Sequence, residues 1–95
     1  MFNLKTNKVM IVTNLQSPRS GRPVENQFCI YMPNGERLFQ SYSSIICKVM
    51  PDGEIQLAHD AWLSRTTKKY LRVFLGMTDT DSKTFNTFIN NLKTF

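Results

Sequence analysis

Trp62-Leu63-Ser64-Arg65-Thr66-Thr67-Lys68-Lys69-Tyr70-Leu71-Arg72-Val73-Phe74-Leu75-Gly76 is the stretch on which the reading of this chain turns. Its periodicity predicts a helix with two faces. Arg65, Lys68, Lys69 and Arg72 are spaced i, i+3, i+4, i+7, which sets all four charges on one stripe. Tyr70, Leu71 and Phe74 fall on the other side, with Thr67 between. Ser64 is a suitable N-cap, and Gly76 stands where the chain can turn left-handed and stop. Arg65 and Lys68 sit in or near the first turn, where the helix dipole disfavours cations. A bound anion would offset that cost, because free backbone N–H groups point outward there. Against this stands the plainer reading of a solvated helix face.

The rest of the chain is consistent with one small domain. It has 95 residues, 41% of them apolar and 12% aromatic, and a formal net charge of +5. That is enough for a small core, and the basic balance suits a polyanion or an acidic protein surface. The two cysteines, Cys29 and Cys47, lie inside apolar runs and read as buried free thiols. His59 is the single histidine and has no cysteine at ligand spacing, so no metal site is expected. No apolar run approaches the roughly 20 residues needed to span a membrane. Residues 1–5 lack a signal-peptide core, and a cytoplasmic protein is expected.

Taken in order, residues 8–13 form a short β-branched strand. Residues 14–25 hold two prolines, a glycine, Arg19 and Arg22 without periodicity, and read as a long loop. Residues 26–32 alternate, with Phe28, Ile30 and Met32 on one face and Cys29 and Tyr31 on the other. Pro33-Asn34-Gly35 and Pro51-Asp52-Gly53 are strong turn signals. Between them, residues 37–42 and 45–50 read as strands, with a bend or bulge at Ser43-Ser44, and residues 54–57 pair back. Trp62 is placed to pack over the helix entry as a staple. A second helix over about 82–93 carries Phe85, Phe88, Ile89 and Leu92 on one stripe. The expected fold is α+β. An antiparallel meander of about four or five strands spans about 8–58, followed by C-terminal helices at about 64–75 and 82–93. Its core is expected to draw on Phe28, Ile30, Phe39, Ile45, Leu71, Phe74, Phe85, Phe88 and Leu92.

No catalytic constellation appears. The acidic residues are mostly turn and cap formers (Asp52, Glu54, Asp79, Asp81), and no glycine-rich phosphate loop is present. A non-enzymatic protein without a cofactor is expected. Leu38-Phe39-Gln40-Ser41-Tyr42-Ser43-Ser44-Ile45-Ile46-Cys47, then Gly53-Glu54-Ile55-Gln56-Leu57, then Trp62 and Ser64-Arg65-Thr66-Thr67-Lys68-Lys69-Tyr70-Leu71 resemble a family of small phage and mobile-element proteins. The family pattern is Phe-x-Ser-Tyr-x-Ser/Thr-x-Ile-Ala/Cys, then Trp-x-x-Ser-x-Thr-Thr-x-Lys/Arg-His/Tyr-Leu-x-x-Phe-Leu, met here through Phe74-Leu75 but with one residue fewer between Trp62 and Ser64, and the match spans about residues 24–75. The Phe-rich second helix is not accounted for by it. The resemblance implies a compact α+β domain of viral or mobile-element origin. By analogy it suggests an inhibitor of a host nucleic-acid-dependent defence effector, of the anti-CRISPR kind, acting on a host protein or a protein–nucleic-acid complex. The alternatives are a DNA- or RNA-binding module, with Tyr31, Tyr42 or Phe39 stacking on bases, and a self-associating structural protein. The residues expected to meet the partner are Ser64, Arg65, Lys68, Lys69 and Arg72, with Arg19 and Arg22 in the loop. The oligomeric state stays open, a dimer included.

Overall fold

The structure is a computed structural model and describes residues 9–95. The expectations resting on Lys8 and on residues 1–5 lie outside those residues. Strands β1 (Ile11–Gln16), β2 (Pro23–Tyr31), β3 (Arg37–Ser41), β4 (Ser44–Val49) and β5 (Ile55–Leu57) are followed by helices α1 (Arg65–Leu75) and α2 (Ser82–Asn90), and the last strand is β6 (Lys93–Thr94). The strands form one six-stranded sheet in the order β1-β2-β3-β4-β5-β6. Neighbours are antiparallel except β5 and β6, which run parallel. The expected α+β meander with C-terminal helices is what forms.

Local chemistry explains the corners. At Pro33-Asn34-Gly35, Met32 and Glu36 close the loop through a 2.8 Å backbone bond, and Asn34 accepts from the Glu36 N–H at 3.0 Å. Pro51-Asp52-Gly53 repeats the device, with Met50 and Glu54 at 2.8 Å and Asp52 accepting from Glu54 at 2.9 Å. Gly35 and Gly53 take φ of 96° and 94°, which only glycine adopts without strain.

The expected long loop at 14–25 is corrected. β1 runs on to Gln16 and β2 begins at Pro23, so only residues 17–22 are loop. Ser17 N–H bonds the Arg22 carbonyl at 2.9 Å and Gly21 N–H bonds the Ser17 carbonyl at 2.8 Å. Pro23 is tolerated at the first position of its strand, where a missing N–H does little harm. A register shift between Asn14 and Gln16, with Asn26 at φ 65°, absorbs the irregular sequence. The bend or bulge expected at Ser43-Ser44 resolves into both, each slightly displaced. Tyr42 and Ser43 make a two-residue hairpin loop, and the bulge lies further on, where Phe39 pairs Cys47 but Gln40 pairs Ile45. The extra residue, Ile46, therefore joins Cys47 in the core.

α1 lies across β1, β2 and β3. The core between sheet and helices holds Cys29, Phe39, Ile46, Cys47, Tyr70, Leu71, Phe74, Phe85 and Ile89. Phe39 and Phe74 stack with ring centroids 5.7 Å apart. Phe88 and Leu92 pack at the margin of this core. Phe28 and Ile45 are only partly buried and do not belong to it, and Ile30, though buried as expected, lies on the other face of the sheet. Cross-strand register pairs Cys29 with Phe39 and Gln27 with Ser41, which turns Phe28 and Ile30 to the opposite face, beside Gln40 and Leu38. Ile45 shares the Gln40 row. Ile30 is buried there all the same, between its register neighbours Val12 and Leu38. The second helix ends at Asn90, three residues short of expectation, with Asn91 as cap. Lys93 and Thr94 leave it to pair with Gln56 and Leu57.

Candidate functional site

The basic stripe forms as the spacing requires. Ser64 caps α1, its hydroxyl accepting the Thr67 N–H at 3.1 Å, and Gly76 ends the helix at φ 70° with its N–H turned back to the carbonyls of Arg72 and Val73. Arg65, Lys68, Lys69 and Arg72 come together around a concavity of about 330 Å³, completed by Leu63 and by Ser82 at the start of α2. Among the described residues no carboxylate lines it.

The four charges are not equivalent, however. Lys68 Nζ donates to Asn86 Oδ1 at 3.1 Å. The Arg72 guanidinium sits 5.0 Å from the Phe85 ring centre and donates to the Thr80 carbonyl. These two side chains fasten α2 to α1. The first-turn cation that looked misplaced in sequence, Lys68, thus has an internal partner. Arg65 and Lys69 remain exposed, Lys69 with its ammonium 5.4 Å from the Tyr70 ring centre. Asp81 caps α2, accepting from the Thr84 N–H at 2.7 Å and the Thr84 hydroxyl at 3.0 Å. Those bonds hold its carboxyl below the ordinary value.

A second cavity, of about 610 Å³, lies on the other side of the first turn of α1. Ser41, Tyr42 and Ser44 reach it from the β3–β4 hairpin, His59, Asp60 and Trp62 from the β5–α1 connection, and Ser64 and Thr67 from α1. Thr67 ties the two elements together. Its hydroxyl receives the Ser64 hydroxyl at 3.0 Å and lies 3.2 Å from that of buried Ser41. Beside Ser41 in register, Gln27 is 1% exposed, and neither side-chain amide atom has a hydrogen-bond partner among the described residues.

Two aromatic residues at this cavity stand out. Trp62 is 81% exposed. It does not staple the helix entry; Leu63, the residue next to the cap, packs against the core instead. Tyr42 is 60% exposed and takes φ 56° at the first position of its two-residue hairpin loop. That region costs an L-residue about 1–2 kcal/mol, and hairpins usually meet the demand with glycine. Among the other expected stacking residues, Phe39 is fully buried and unavailable. Tyr31 is exposed, but it lines a different concavity with Thr13, Leu15 and Arg37. Arg19 and Arg22 lie in the 17–22 loop and line neither the basic concavity nor the aromatic cavity.

Among the described residues no group of three or more His, Cys, Asp or Glu is placed to hold a metal ion. His59 turns Nδ1 to the Phe95 carbonyl at 2.6 Å. No described helix is long and apolar enough to cross a membrane. The model of DUF8033, a family of unknown function, matches residues 10–90. The chain belongs to that family. The matched residues take in strands β1 to β5 and both helices. Among the curated proteins and the solved structures none matches.

Sequence reasoning brought Arg65, Lys68, Lys69, Arg72 and Ser64 to one place, but it missed Trp62 as a surface residue. The available signal was that Trp62 and Leu63 compete for one inward position, and the smaller residue adjoins the cap.

Proposed function

We propose that this chain is a small non-enzymatic binding protein of phage or mobile-element origin, working in the cytoplasm of a bacterial host, and that it engages nucleic acid through the α1 concavity. The observation that carries the reading is the convergence of Arg65, Lys68, Lys69 and Arg72 on one concavity without a carboxylate in its lining. Phosphodiesters are recognised by such clusters of cations, and the net charge of +5 adds long-range attraction. The origin rests on the resemblance of residues 24–75 to phage and mobile-element proteins.

Arg65 and Lys69 are the charges free to meet phosphates, since Lys68 and Arg72 also hold α2. The test is the salt dependence of binding to a labelled oligonucleotide. Each phosphate contact contributes about 0.7 for a single strand, or about 0.9 for a duplex, to the slope of log affinity against log salt. Arg65→Gln with Lys69→Gln should flatten that slope by roughly 1.5 to 2 units. Affinity indifferent to salt and to this variant contradicts the reading.

A second reading, an inhibitor bound to a host defence effector, is favoured by one separate observation. Ile11 and Val12 at the start of edge strand β1, and Val9 and Met10 just before it, are all more than half exposed, which leaves this edge open to a protein partner adding a strand. A defined protein partner that stays bound after nuclease treatment, and is lost on Val12→Lys, would replace the first reading with this one.

A further inference from the structure

We propose that the ligand is single-stranded nucleic acid, with bases stacked on Tyr42 and Trp62 in the cavity beside α1 and phosphates in the basic concavity; this rests on the nucleic-acid reading above. Four observations lead there. Trp62 is 81% and Tyr42 60% exposed, yet both line one cavity of about 610 Å³, within the usual range for small-molecule sites. A single exposed aromatic needs no explanation, but two that line the same cavity make an amphipathic platform of the kind binding sites use.

Tyr42 is also held in strained backbone at φ 56°, where glycine would fit without penalty. An aromatic kept in such a position points to use of its ring. The cavity and the concavity adjoin, because the residues at the start of α1 divide between them. Ser64 and Thr67 line the cavity, and Leu63, Arg65 and Lys68 line the concavity. A strand crossing this turn would set bases on one side and phosphates on the other.

Finally, among the described residues no lysine or arginine lines the cavity. Asp60, His59 and Ser44 there suit the polar edges of a base and not a phosphate. A duplex keeps its bases stacked inside, so it could use the concavity but not the aromatic rings. Base–aromatic stacking with a charged track beside it is the arrangement by which proteins hold single strands.

Trp62 is the only tryptophan in the chain and reports directly on stacking. The experiment titrates an oligothymidylate of about twelve nucleotides, and a duplex of equal length, into the protein, reading tryptophan emission and the anisotropy of a label on the DNA. Expected are quenching of Trp62 by the single strand, weaker binding of the duplex, and a roughly tenfold loss of single-strand affinity in Trp62→Ala with unchanged salt slope. Tyr42→Gly should lose affinity to a similar degree while keeping its melting temperature, because it relieves the strained turn. Unmoved Trp62 emission at saturation, or equal affinities for both forms with both variants behaving as wild type, overturns the stacking site and leaves the concavity reading standing. Binding of neither form overturns both.

Discussion

Phe74 shows how a single residue ties sheet to helix. It stacks on Phe39, lies under the Arg37 guanidinium at 5.0 Å, and is almost fully buried. Phe74→Ala should cost about 3–5 kcal/mol and lower the melting temperature by roughly 10 °C or more in a calorimetric scan. A shift near zero would contradict the helix phase. Gln27 makes the opposite case. Burying an amide without partners is unfavourable, so Gln27→Met, of similar volume, should leave the melting temperature unchanged or raise it. A clear loss would show that Gln27 is satisfied in a way its surroundings do not reveal. Cys47 is fully enclosed, and burial pushes its thiol up to about 12 from an ordinary 9.0. The unfolded chain therefore ionises first as pH rises past 9.0, and stability should fall between there and about 12. At neutral pH, native protein should label slowly with a thiol reagent, and fast labelling of Cys47 would contradict its burial. At this scale the sequence was legible where side-chain character and burial agree, as at Phe39, Leu71, Phe74 and Phe85. It misled at Phe28, because the register against β3 turns Cys29 and the unassigned Gln27 inward instead.

Among the elements, α1 and the Pro-Asn-Gly and Pro-Asp-Gly turns were legible because each is fixed by local chemistry: a cap, a charge stripe, a glycine in positive φ. β6 was not, since nothing local distinguishes Lys93-Thr94 from one more helical turn; it forms because β5 leaves an edge to pair with. The 17–22 loop was over-read for a related reason. Prolines and glycine suggested irregularity, but β2 supplies partners that draw Asn14 and Val24 into the sheet, with Asn14 Nδ2 bonded to the Val24 carbonyl at 2.9 Å. The attachment of α2 to α1 is open to test. Asp81 is held below its ordinary carboxyl value of 3.8 by the Thr84 N–H and hydroxyl. A depressed carboxyl contributes stability above that value and loses it as pH falls through the folded-state value, so α2 should loosen under acid below about pH 4. Amide exchange across 82–90 should show it, and Asp81→Asn, which keeps an acceptor that does not titrate, should blunt that acid response. An α2 that opens identically in both proteins would place the acid sensitivity elsewhere. Arg72→Gln should raise exchange in α2 and leave the sheet alone, whereas Arg65→Gln should change neither.

The whole molecule divides its surface by character. The sheet face away from the helices carries Phe28, Ile30 and Leu38, the β1 edge is apolar, and the free cations Arg65 and Lys69 sit on the helix side above a first turn shared with the exposed aromatics. Half of the candidate site was legible in sequence, because helical spacing alone collects Arg65, Lys68, Lys69 and Arg72. The other half was not. Tyr42 and Trp62 are 20 positions apart and meet only through the β3–β4 hairpin and the Ser41–Thr67 contact that seats α1 against it. The same contact explains why binding and folding can be separated here: the hydroxyls position the turn, while the free charges of Arg65 and Lys69 and the rings of Tyr42 and Trp62 bear none of the core. The most direct measurement is therefore a residue-by-residue map of backbone amide shifts as oligothymidylate is added to isotope-labelled protein at low salt. Shifts gathered at 41–44 and 62–72, fading as salt is raised, are the predicted result. Shifts confined to 9–16 or 17–22, or none at all, would contradict the claim that the first turn of α1 is where this protein binds.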